Sequence, residues 1–315
     1  MSGGVSGVIA LCTVTYLRPV GLERLLQRIG QLDLTDIDGP VVVIVVDNDA
    51  AASAEPIVER VRPTIDVDVT YAVEPTRGIT FARNRALELA SAAGAKWIGW
   101  IDDDEAPRPD WLQRLVTTQR ATGADVVMGP PSPIFDTDAP RWIVDSGAFS
   151  PASFPSGEPY PYYYTRTSGV IHRVAVVPPE GFDHRLALTG GEDRLFFTRV
   201  HRNGGSFVWD AHAVVDEWIP TSRARVRWLV RRWFRVGVTR SLTLIYLDRP
   251  SFLRRARRMI GGLAMAVRGG VELLVAVPGG RGAALLSSRR LLVGLGSSYG
   301  ALGLHVREYT RVHGR

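Results

Sequence analysis

Three consecutive aspartates, Asp102–Asp104, follow a buried-type apolar segment that ends at Ile101. Adjacent carboxylates on a short turn repel one another, and a divalent cation relieves that repulsion. Hard oxygen ligands favour Mg²⁺ or Mn²⁺, which usually keeps several waters and bridges to the phosphates of a substrate. The triplet is therefore a candidate metal and diphosphate site, although a solvated acidic turn explains it equally well when it is taken alone.

A second cluster, Gly190–Asp193, precedes a segment whose apolar residues have helical spacing. Paired glycines let the backbone approach a ligand closely. The helix dipole stabilises an anionic carboxylate at the start of a helix, so Asp193 is available as a weak base. Taken alone, the motif is better explained by an aspartate that caps the helix and complements its dipole.

A third cluster, residues 225–237, interleaves arginines with Trp228, Trp233 and Phe234. On a helix, Arg232 and Arg235 share one face, and guanidinium groups match the oxygens of a diphosphate bidentately. The alternative is a basic amphipathic helix that packs its tryptophans on the body of the protein. The two interpretations are compatible.

The elements that must position these clusters alternate between strand and helix. The predicted strands are Val8–Val14, Val41–Val46, Val67–Val73, Trp97–Ile101 and Asp125–Met128. The predicted helices are Leu22–Ile29, Ile57–Val61, Ile79–Ala92 and Pro109–Ala121. This alternation predicts an α/β domain with a mainly parallel sheet, in which ligands bind at the carboxyl ends of the strands. Two acidic clusters, Asp47–Asp49 and Asp102–Asp104, follow predicted strands.

The rest of the chain divides into long loops and a basic helical tail. Residues 129–161 are rich in proline, serine and glycine, so long loops of functional importance are predicted there. The tail, 221–315, contains 19 arginines and three acidic residues, so it carries a charge of +16 and leaves −10 on residues 1–220. We therefore expect two segments, an acidic α/β domain at 1–220 and a basic amphipathic tail at 221–315.

Composition excludes several classes of protein. A chain of 315 residues with 45% hydrophobic and 22% charged residues is ordinary globular protein, not a disordered or collagenous one. Its single cysteine, Cys12, excludes an internal disulfide and a cysteine-based zinc cluster. The sequence shows neither a signal peptide nor 18 consecutive uncharged apolar residues, so we expect a cytoplasmic protein without a clean transmembrane helix.

Taken together, the clusters resemble family 2 of the glycosyltransferases, which have the GT-A fold. The resemblance covers roughly residues 8–237 and rests on the order and spacing of several motifs. These motifs are TVTYLRP at 13–19, VVDND at 45–49, TRGITFARN at 76–84, DDD at 102–104, PDWL at 109–112, GFD at 181–183, GGED at 190–193 and the arginine-rich run that follows. The implied fold is GT-A, with a mainly parallel central sheet and a C-terminal basic helical segment.

The resemblance also implies a role for each matching residue. Asp193 is implied as the catalytic base, and Asp104 as the residue that binds Mn²⁺ or Mg²⁺. The residues implied in binding the donor nucleotide are Thr15, Asp47, Arg77, Arg83, Asp102 and Asp103, and those implied near the diphosphate are Arg232 and Arg235. Gly191 and Glu192 are implied on the acceptor side.

A closer resemblance is to bacterial exopolysaccharide glucosyltransferases of the succinoglycan type. It rests on the shared motifs DNDA, DDDE, GGED and APRW, the last of which places Trp142 on the acceptor side. One departure concerns the metal. Many family members place a histidine after the last strand as a further ligand, whereas Glu217 occupies that place here. Glu217 is therefore the expected third ligand, because a carboxylate also suits a hard cation.

The implied reaction is inverting transfer of a hexose, glucose from UDP-glucose, to a saccharide acceptor in exopolysaccharide or cell-envelope glycan synthesis. A lipid-linked acceptor would explain the tail, whose apolar residues 260–274 and preceding arginines suit an interfacial helix at the inner face of the plasma membrane. Packing of the tail on the body, or a homodimer contact, remains an equal alternative.

Other functions fit the sequence less well. A nucleotide-sugar pyrophosphorylase is expected to have a glycine-rich loop after the first strand, and residues 12–19 contain no glycine. A dinucleotide oxidoreductase needs the pattern GxGxxG near an early strand, and none is present. A non-enzymatic nucleic-acid-binding or scaffold protein would use the basic tail but would leave both acidic clusters unexplained, so no nucleic-acid partner is expected.

Overall fold

The computed structural model describes residues 7–306. The first half contains, in chain order, β1 (Ile9–Thr15), α1 (Pro19–Ile29), β2 (Val41–Asp47), α2 (Glu55–Val61), β3 (Asp68–Val73), α3 (Ile79–Ala92), β4 (Trp97–Trp100), β5 (Glu105–Pro107), α4 (Trp111–Thr122) and β6 (Val126–Met128). The second half contains β7 (Pro131–Phe135), α5 (Arg141–Val144), β8 (Val170–Arg173), α6 (Glu192–Arg202), β9 (Phe207–Trp209), β10 (Val215–Ile219), α7 (Val226–Asp248), α8 (Phe252–Ala276) and α9 (Arg281–Ala301).

A seven-stranded sheet in the order β3-β2-β1-β4-β8-β6-β9 forms the centre of the first 220 residues. All neighbouring pairs are parallel except the two that involve β8, which runs antiparallel to β4 and β6. Successive side chains of a strand point to opposite faces, so β1 supplies Leu11 to one core and Cys12 to the other. Helices α1, α2 and α4 cover the first face, and α3 and α6 cover the second. The predicted α/β architecture is confirmed.

A smaller sheet, in the order β5-β10-β7, includes one strand, β7, from the segment predicted as loop. Residues 129–161 contain β7 and the short helix α5, so the prediction of loops throughout that segment was wrong in part. Strand β7 begins at Pro131 and also contains Pro133, and proline is tolerated because β7 is an edge strand. Because β7 is short and contains two prolines, its sequence shows no alternation that would predict a strand.

The three C-terminal helices form a bundle in which α9 packs on both α7 and α8. Helices α9 and α7 approach closely at Gly296, where an added Cβ would lie 1.9 Å from the carbonyl oxygen of Phe234 on α7. Glycine is therefore required there by contact with the neighbouring backbone. Helix α7 also packs on α6 through an apolar cluster that includes Leu195 and Leu242. Residues 1–6 of the first predicted segment and 307–315 of the second lie outside the described residues.

Helix α8 is the most exposed apolar element of the bundle. With the turn that follows it, the stretch Phe252–Gly279 is long and apolar enough to cross a membrane by length and composition alone. It is interrupted by Arg268 and Glu272, whose side chains pair at 3.2 Å. Most of its apolar side chains face solvent, including Val267 at 70% and Leu274 at 74% exposure.

Candidate functional site

A cavity of about 680 Å³ opens where the carboxyl ends of β1 and β4, the start of α6 and one face of α7 meet. Twelve of the fourteen residues predicted for the site line it: Thr15, Arg77, Arg83, Asp102, Asp103, Asp104, Gly191, Glu192, Asp193, Glu217, Arg232 and Arg235. Chain segments as distant as Thr15 and Arg235 therefore converge on one space, as expected for the strand ends of an α/β sheet.

Arginines hold the aspartates that follow β4. Asp103 accepts hydrogen bonds from Thr15 Oγ1 at 2.8 Å and from Arg18 Nη1 at 2.6 Å. Asp104 pairs through Oδ2 with Arg18 at 3.3 Å and with Arg223 Nη1 at 2.7 Å. Two arginines that the sequence analysis missed therefore offset part of the charge of the triplet. Arg18 lies within the quoted 13–19 motif, whereas Arg223 reaches the site only through the tertiary fold.

The remaining negative charge is not fully balanced. Burial, opposed by Arg83 and reinforced by the charges of Asp104 and Asp103, raises the pKa of Asp102 to about 7. Burial also raises the pKa of Glu105, and repulsion from Asp102 and Glu217 raises it further. At Asp104 the raising effect of burial is outweighed by Arg223 and Arg18, so its pKa is lowered. Asp104 is therefore the member of the triplet held most firmly as an anion.

These carboxylates fit a hard divalent cation by their chemistry, although they do not form a preformed cage. Within residues 7–306, no group of three or more His, Cys, Asp or Glu side chains is arranged to hold an ion. Mg²⁺ commonly takes one or two protein carboxylates together with water and substrate phosphates. Asp102, Asp104 and Glu217 all face the cavity, where their mutual repulsion favours a cation. The donor set therefore suits a metal that arrives with a diphosphate.

Arg83 connects the triplet with the start of α6. Its guanidinium group pairs with Glu192 Oε1 and lies 3.5 Å from Asp102 Oδ1. Both Arg83 and Glu192 are almost fully buried, with side-chain exposures of 6% and 3%. Burial raises the pKa of Glu192, Arg83 opposes that effect, and the charge of Asp193 reinforces it. The ion pair fixes the distance between the two acidic clusters.

Asp193 lies in the first turn of α6 and is half-buried in the cavity. Its Oδ1 accepts the backbone N–H of Arg194 at 2.6 Å, which leaves Oδ2 available to a ligand. The preceding Gly190 and Gly191 have positive φ values of 75° and 86°. A Cβ at Gly191 would lie 2.6 Å from Thr239 on α7, so the glycines also allow α7 to pack against this turn.

Helix α7 presents a basic face to the cavity. Arg232 stacks on Trp228, with its guanidinium carbon 5.0 Å from the ring centroid. Burial, opposed by the charge of Glu217, lowers the pKa of Arg232 to about 10, so it remains a cation at neutral pH. Arg235 lies beside Gly190, 2.6 Å from where a Cβ would stand. The two predicted diphosphate residues therefore face the space between the acidic clusters.

Two predicted residues lie outside the cavity. Asp47 is fully buried, and its carboxylate accepts the N–H groups of Asp49 and Ala54 and the hydroxyl of Tyr71. The structure therefore does not bring Asp47 to a position where it could contact a base directly. Its neighbour Asn48 lines the cavity instead.

Asn48 holds the loop that faces β1 at this end of the cavity. Its side chain donates to the carbonyls of Glu74 and Thr76 and accepts the N–H of Gly78. This loop carries Arg77, which stacks over Tyr16 at 4.7 Å. An aromatic ring and a cation are thereby placed together at the cavity wall.

Trp142 is the other predicted residue outside the cavity. It lies on α5 and packs, half-buried, in the apolar cluster that joins Ile143 to Leu229 and Leu285 of α7 and α9. The loop that follows α5 does reach the cavity, through residues that include Phe149 and Ser150. The structure therefore brings the neighbours of Trp142 to the site, but not Trp142 itself.

Comparison with known proteins gives consistent matches. A family model, glycosyl transferase family 2, matches residues 11–176. The succinoglycan biosynthesis protein ExoM of Rhizobium meliloti is 34% identical over 231 residues, which are 73% of this chain and 72% of ExoM. A glucosyl-dolichyl phosphate glucuronosyltransferase of Haloferax volcanii is 30% identical over 90 residues, 29% of this chain and 26% of that protein.

Two solved structures share the fold at low sequence identity. The mannosyltransferase PcManGT of Pyrobaculum calidifontis, in complex with GDP-Man and Mn²⁺, has a TM-score of 0.60 at 16% identity over 93% of this chain and 86% of its own. S. aureus TarS 1–349 has a TM-score of 0.52 at 15% identity over 98% of this chain and 95% of its own. A longer TarS structure is covered over 44% of its length. These likenesses confirm the predicted GT-A fold.

Proposed function

The chain belongs to family 2 of the glycosyltransferases, and we propose that it moves a hexose with inversion from a nucleoside diphosphate sugar to a hydroxyl group of a saccharide. The observation that supports this is the shared cavity in which the aspartate triplet, Asp193 and the arginines of α7 face one another. UDP-glucose is the proposed donor. Because the ExoM relative is named for succinoglycan biosynthesis, we assign the reaction to exopolysaccharide or cell-envelope glycan synthesis.

The nucleotide is proposed to bind at the end formed by Thr15, Tyr16 and Arg77. The loop carrying Arg77 closes over the nucleotide, and Asp102 and Asp103 face its ribose and diphosphate. Asp47 supports the site indirectly, because its carboxylate accepts hydrogen bonds from Asp49 and Ala54 and so holds the loop after β2. This indirect role replaces the direct contact with the base that the sequence had indicated.

Asp104, with Glu217, is proposed to hold Mn²⁺ or Mg²⁺ at the donor diphosphate. When bound, such an ion offsets negative charge that develops on the leaving diphosphate. The mannosyltransferase of P. calidifontis, which shares this fold and was solved with Mn²⁺, supports a divalent metal here. Asp104 pairs with Arg18 and Arg223, so at least one of these contacts must loosen for a carboxylate oxygen to bind the ion.

Transfer is proposed to depend on Asp193 as the base. The free Oδ2 accepts the proton of the acceptor hydroxyl while that oxygen attacks the anomeric carbon, and the bond to the diphosphate breaks on the opposite side. One in-line displacement of this kind inverts the configuration. Arg232 remains charged, and with Arg235 it offsets the negative charge of the departing diphosphate.

The acceptor is proposed to be lipid-linked and to be met at a membrane surface. Exposed apolar side chains at Ile260, Val267, Val271 and Leu274 share one face of α8. The exposed Arg254 and Arg257 at the start of α8 suit the anionic headgroups of a cytoplasmic leaflet. We therefore propose a peripheral protein of the inner face of the plasma membrane. A homodimer contact through the same face is the competing occupant.

A transfer assay tests this function. Purified protein is incubated with radiolabelled UDP-glucose, Mn²⁺ and membranes of the source organism, and label in the lipid-soluble fraction is counted. We expect Asp193→Asn to bind the donor normally and to lose transfer by roughly 10²-fold or more. Asp38→Asn, at an aspartate whose side chain is 75% exposed, is the control and should transfer normally. Unchanged transfer in Asp193→Asn would overturn the assignment of the base.

A further inference from the structure

A group of arginines occupies the cavity away from the aspartate triplet. Arg194 on α6, Arg240 on α7 and Arg289 on α9 line it together with Tyr163 and Tyr164. A fourth arginine, Arg258 of α8, lies close enough to Arg240 and Arg194 for their charges to interact. Four successive helices thus bring cations to one region. We call Arg194, Arg240 and Arg289 the arginine site.

The arginine site has little compensating charge. Within residues 7–306, no ion pair joins a carboxylate to Arg194, Arg240, Arg258 or Arg289. Arg194 donates to the carbonyl of Tyr163 at 3.2 Å, whereas the buried Nε of Arg240 has no hydrogen-bond partner in the described structure. These guanidinium groups therefore retain donors that a ligand could satisfy.

Electrostatics make this arrangement costly without a ligand. Burial lowers the pKa of Arg240, and the neighbouring charge of Arg289 lowers it further. Burial and the charge of Arg240 likewise lower the pKa of Arg194, and the charge of Asp193 opposes them. Cations brought together at the wall of a cavity indicate an anionic ligand, because a bound anion removes both the repulsion and the unsatisfied donors.

The position of the arginine site separates it from the donor end. Helix α7 is continuous from Val226 to Asp248, so Arg240 lies about 12 Å along its axis from Arg232. Arg232 interacts with Glu217, whereas Arg194 directly follows Asp193. The arginine site therefore lies beside the proposed base, Asp193. It is more than two helical turns along α7 from Arg232, which interacts with Glu217 at the donor end.

We propose that Arg194, Arg240 and Arg289 bind a phosphate or diphosphate group carried by the acceptor, which makes this site the anchor that orients the acceptor hydroxyl towards Asp193. The proposal rests on the proposed function. Guanidinium groups match phosphate oxygens bidentately, and three of them suit a group with more than one negative charge. Helices α8 and α9 also carry exposed apolar residues, so a lipid attached to that group has an apolar surface nearby.

Calorimetry with defined probes tests the site. Farnesyl diphosphate, inorganic pyrophosphate and farnesol are titrated in EDTA, so that no metal recruits a diphosphate to the aspartates. Arg240→Gln/Arg289→Gln should bind farnesyl diphosphate at least tenfold more weakly than the wild type. The control, Arg227→Gln/Arg231→Gln, removes two charges from exposed positions of the same helix that lie outside the cavity, and it should bind the probe normally. Equal weakening in both variants, or none in the first, would overturn the proposal.

The three probes distinguish the source of the anion. Tighter binding of farnesyl diphosphate than of pyrophosphate supports a lipid-linked acceptor, and equal binding supports a soluble phosphorylated one. If farnesol binds as tightly as farnesyl diphosphate, and the arginine substitutions do not weaken its binding, the site does not recognise an anion and the proposal is wrong. Arg240→Lys/Arg289→Lys keeps the charge and should recover part of the binding, which guards against a loss caused by misfolding.

Binding of sugar nucleotides to the same samples separates the two proposals. A wild-type protein that binds sugar nucleotides with metal but does not bind either diphosphate probe would overturn the arginine site alone. Conversely, diphosphate binding that depends on Arg240 and Arg289, without any sugar-nucleotide binding, would support the site and count against the proposed function.

Discussion

At the scale of residues, Arg83 is the link between the donor and acceptor ends of the cavity. It is buried on α3 and contacts Asp102 on one side and Glu192 on the other. A buried ion pair is a weak source of net stability, but the loss of one partner leaves an uncompensated buried charge. Arg83 therefore positions the two acidic clusters, and the stability of the fold depends on its ion pairs with them.

We predict that Arg83→Met lowers the free energy of unfolding by about 3–5 kcal/mol, because Glu192 and Asp102 lose their cation. Arg83→Met/Glu192→Gln should cost less than the sum of the two single changes, since the pair is removed together. Urea unfolding measures all three variants. Arg85→Gln is the control, because its pair with Glu88 is exposed on the same helix and should contribute less than about 1 kcal/mol. Additive costs at Arg83 and Glu192 would contradict the coupling.

Most of the site residues predicted from sequence motifs line the cavity, but the motifs did not indicate every contact. The DDD and GGED clusters follow a strand and begin a helix, so their position relative to the sheet could be inferred from element order. The role of Asp47 could not be inferred from element order. An aspartate at a strand end can accept the N–H groups of its own loop as readily as it can contact a ligand. Arg223 approaches Asp104 only through the fold, and no sequence spacing indicates that contact.

At the scale of elements, α7 joins the two predicted segments of the chain. It contributes Arg232, Arg235 and Arg240 to the cavity and packs on α6 and α9. The division into 1–220 and 221–315 remains a prediction, but the cavity draws residues from both sides of it. Long periodic helices such as α3 and the strands β1 and β2 were predicted from periodicity. Strands β8 and β9 have four and three residues, too few to show any period.

Two glycine substitutions test how closely the C-terminal helices must pack. Gly296→Ala places a Cβ against the backbone of Phe234, and we predict a loss of about 1–3 kcal/mol in the free energy of unfolding together with reduced transfer. Gly261→Ala on α8 meets no atom within 4 Å and should raise stability by about 0.5–1 kcal/mol through helix propensity. Thermal and urea unfolding measure both. Similar effects at the two positions would contradict the packing of α9 on α7.

At the scale of the whole molecule, charge and apolar surface are segregated. Residues 1–220 carry −10 and residues 221–315 carry +16, and the exposed apolar face of α8 lies in the basic part. Exposed apolar patches of this extent are uncommon on monomeric soluble proteins and mark interaction surfaces. Combined with basic residues, such a face suits an anionic lipid surface.

We predict that the protein floats with vesicles of phosphatidylcholine and about 30% phosphatidylglycerol, and that rising salt weakens this binding. Val267→Glu/Leu274→Glu should abolish flotation without loss of stability, because both side chains are exposed. Val20→Glu, at a position 66% exposed on α1, is the control and should float normally. A stable dimer in light scattering that the double variant breaks, without vesicle binding, would show that the face is a contact between copies.

The most direct test of the central claim is donor binding, measured by thermal unfolding with a panel of nucleotides and nucleotide sugars, each with and without Mn²⁺ or Mg²⁺. We predict that one nucleotide sugar, UDP-glucose, stabilises the protein in a metal-dependent manner, by roughly 2.7 kcal/mol at about 100 times its Kd. Asp104→Ala should lose the metal-dependent part. Absence of a shift with every nucleotide sugar, under all metal conditions, would contradict the assignment of the cavity as a donor site.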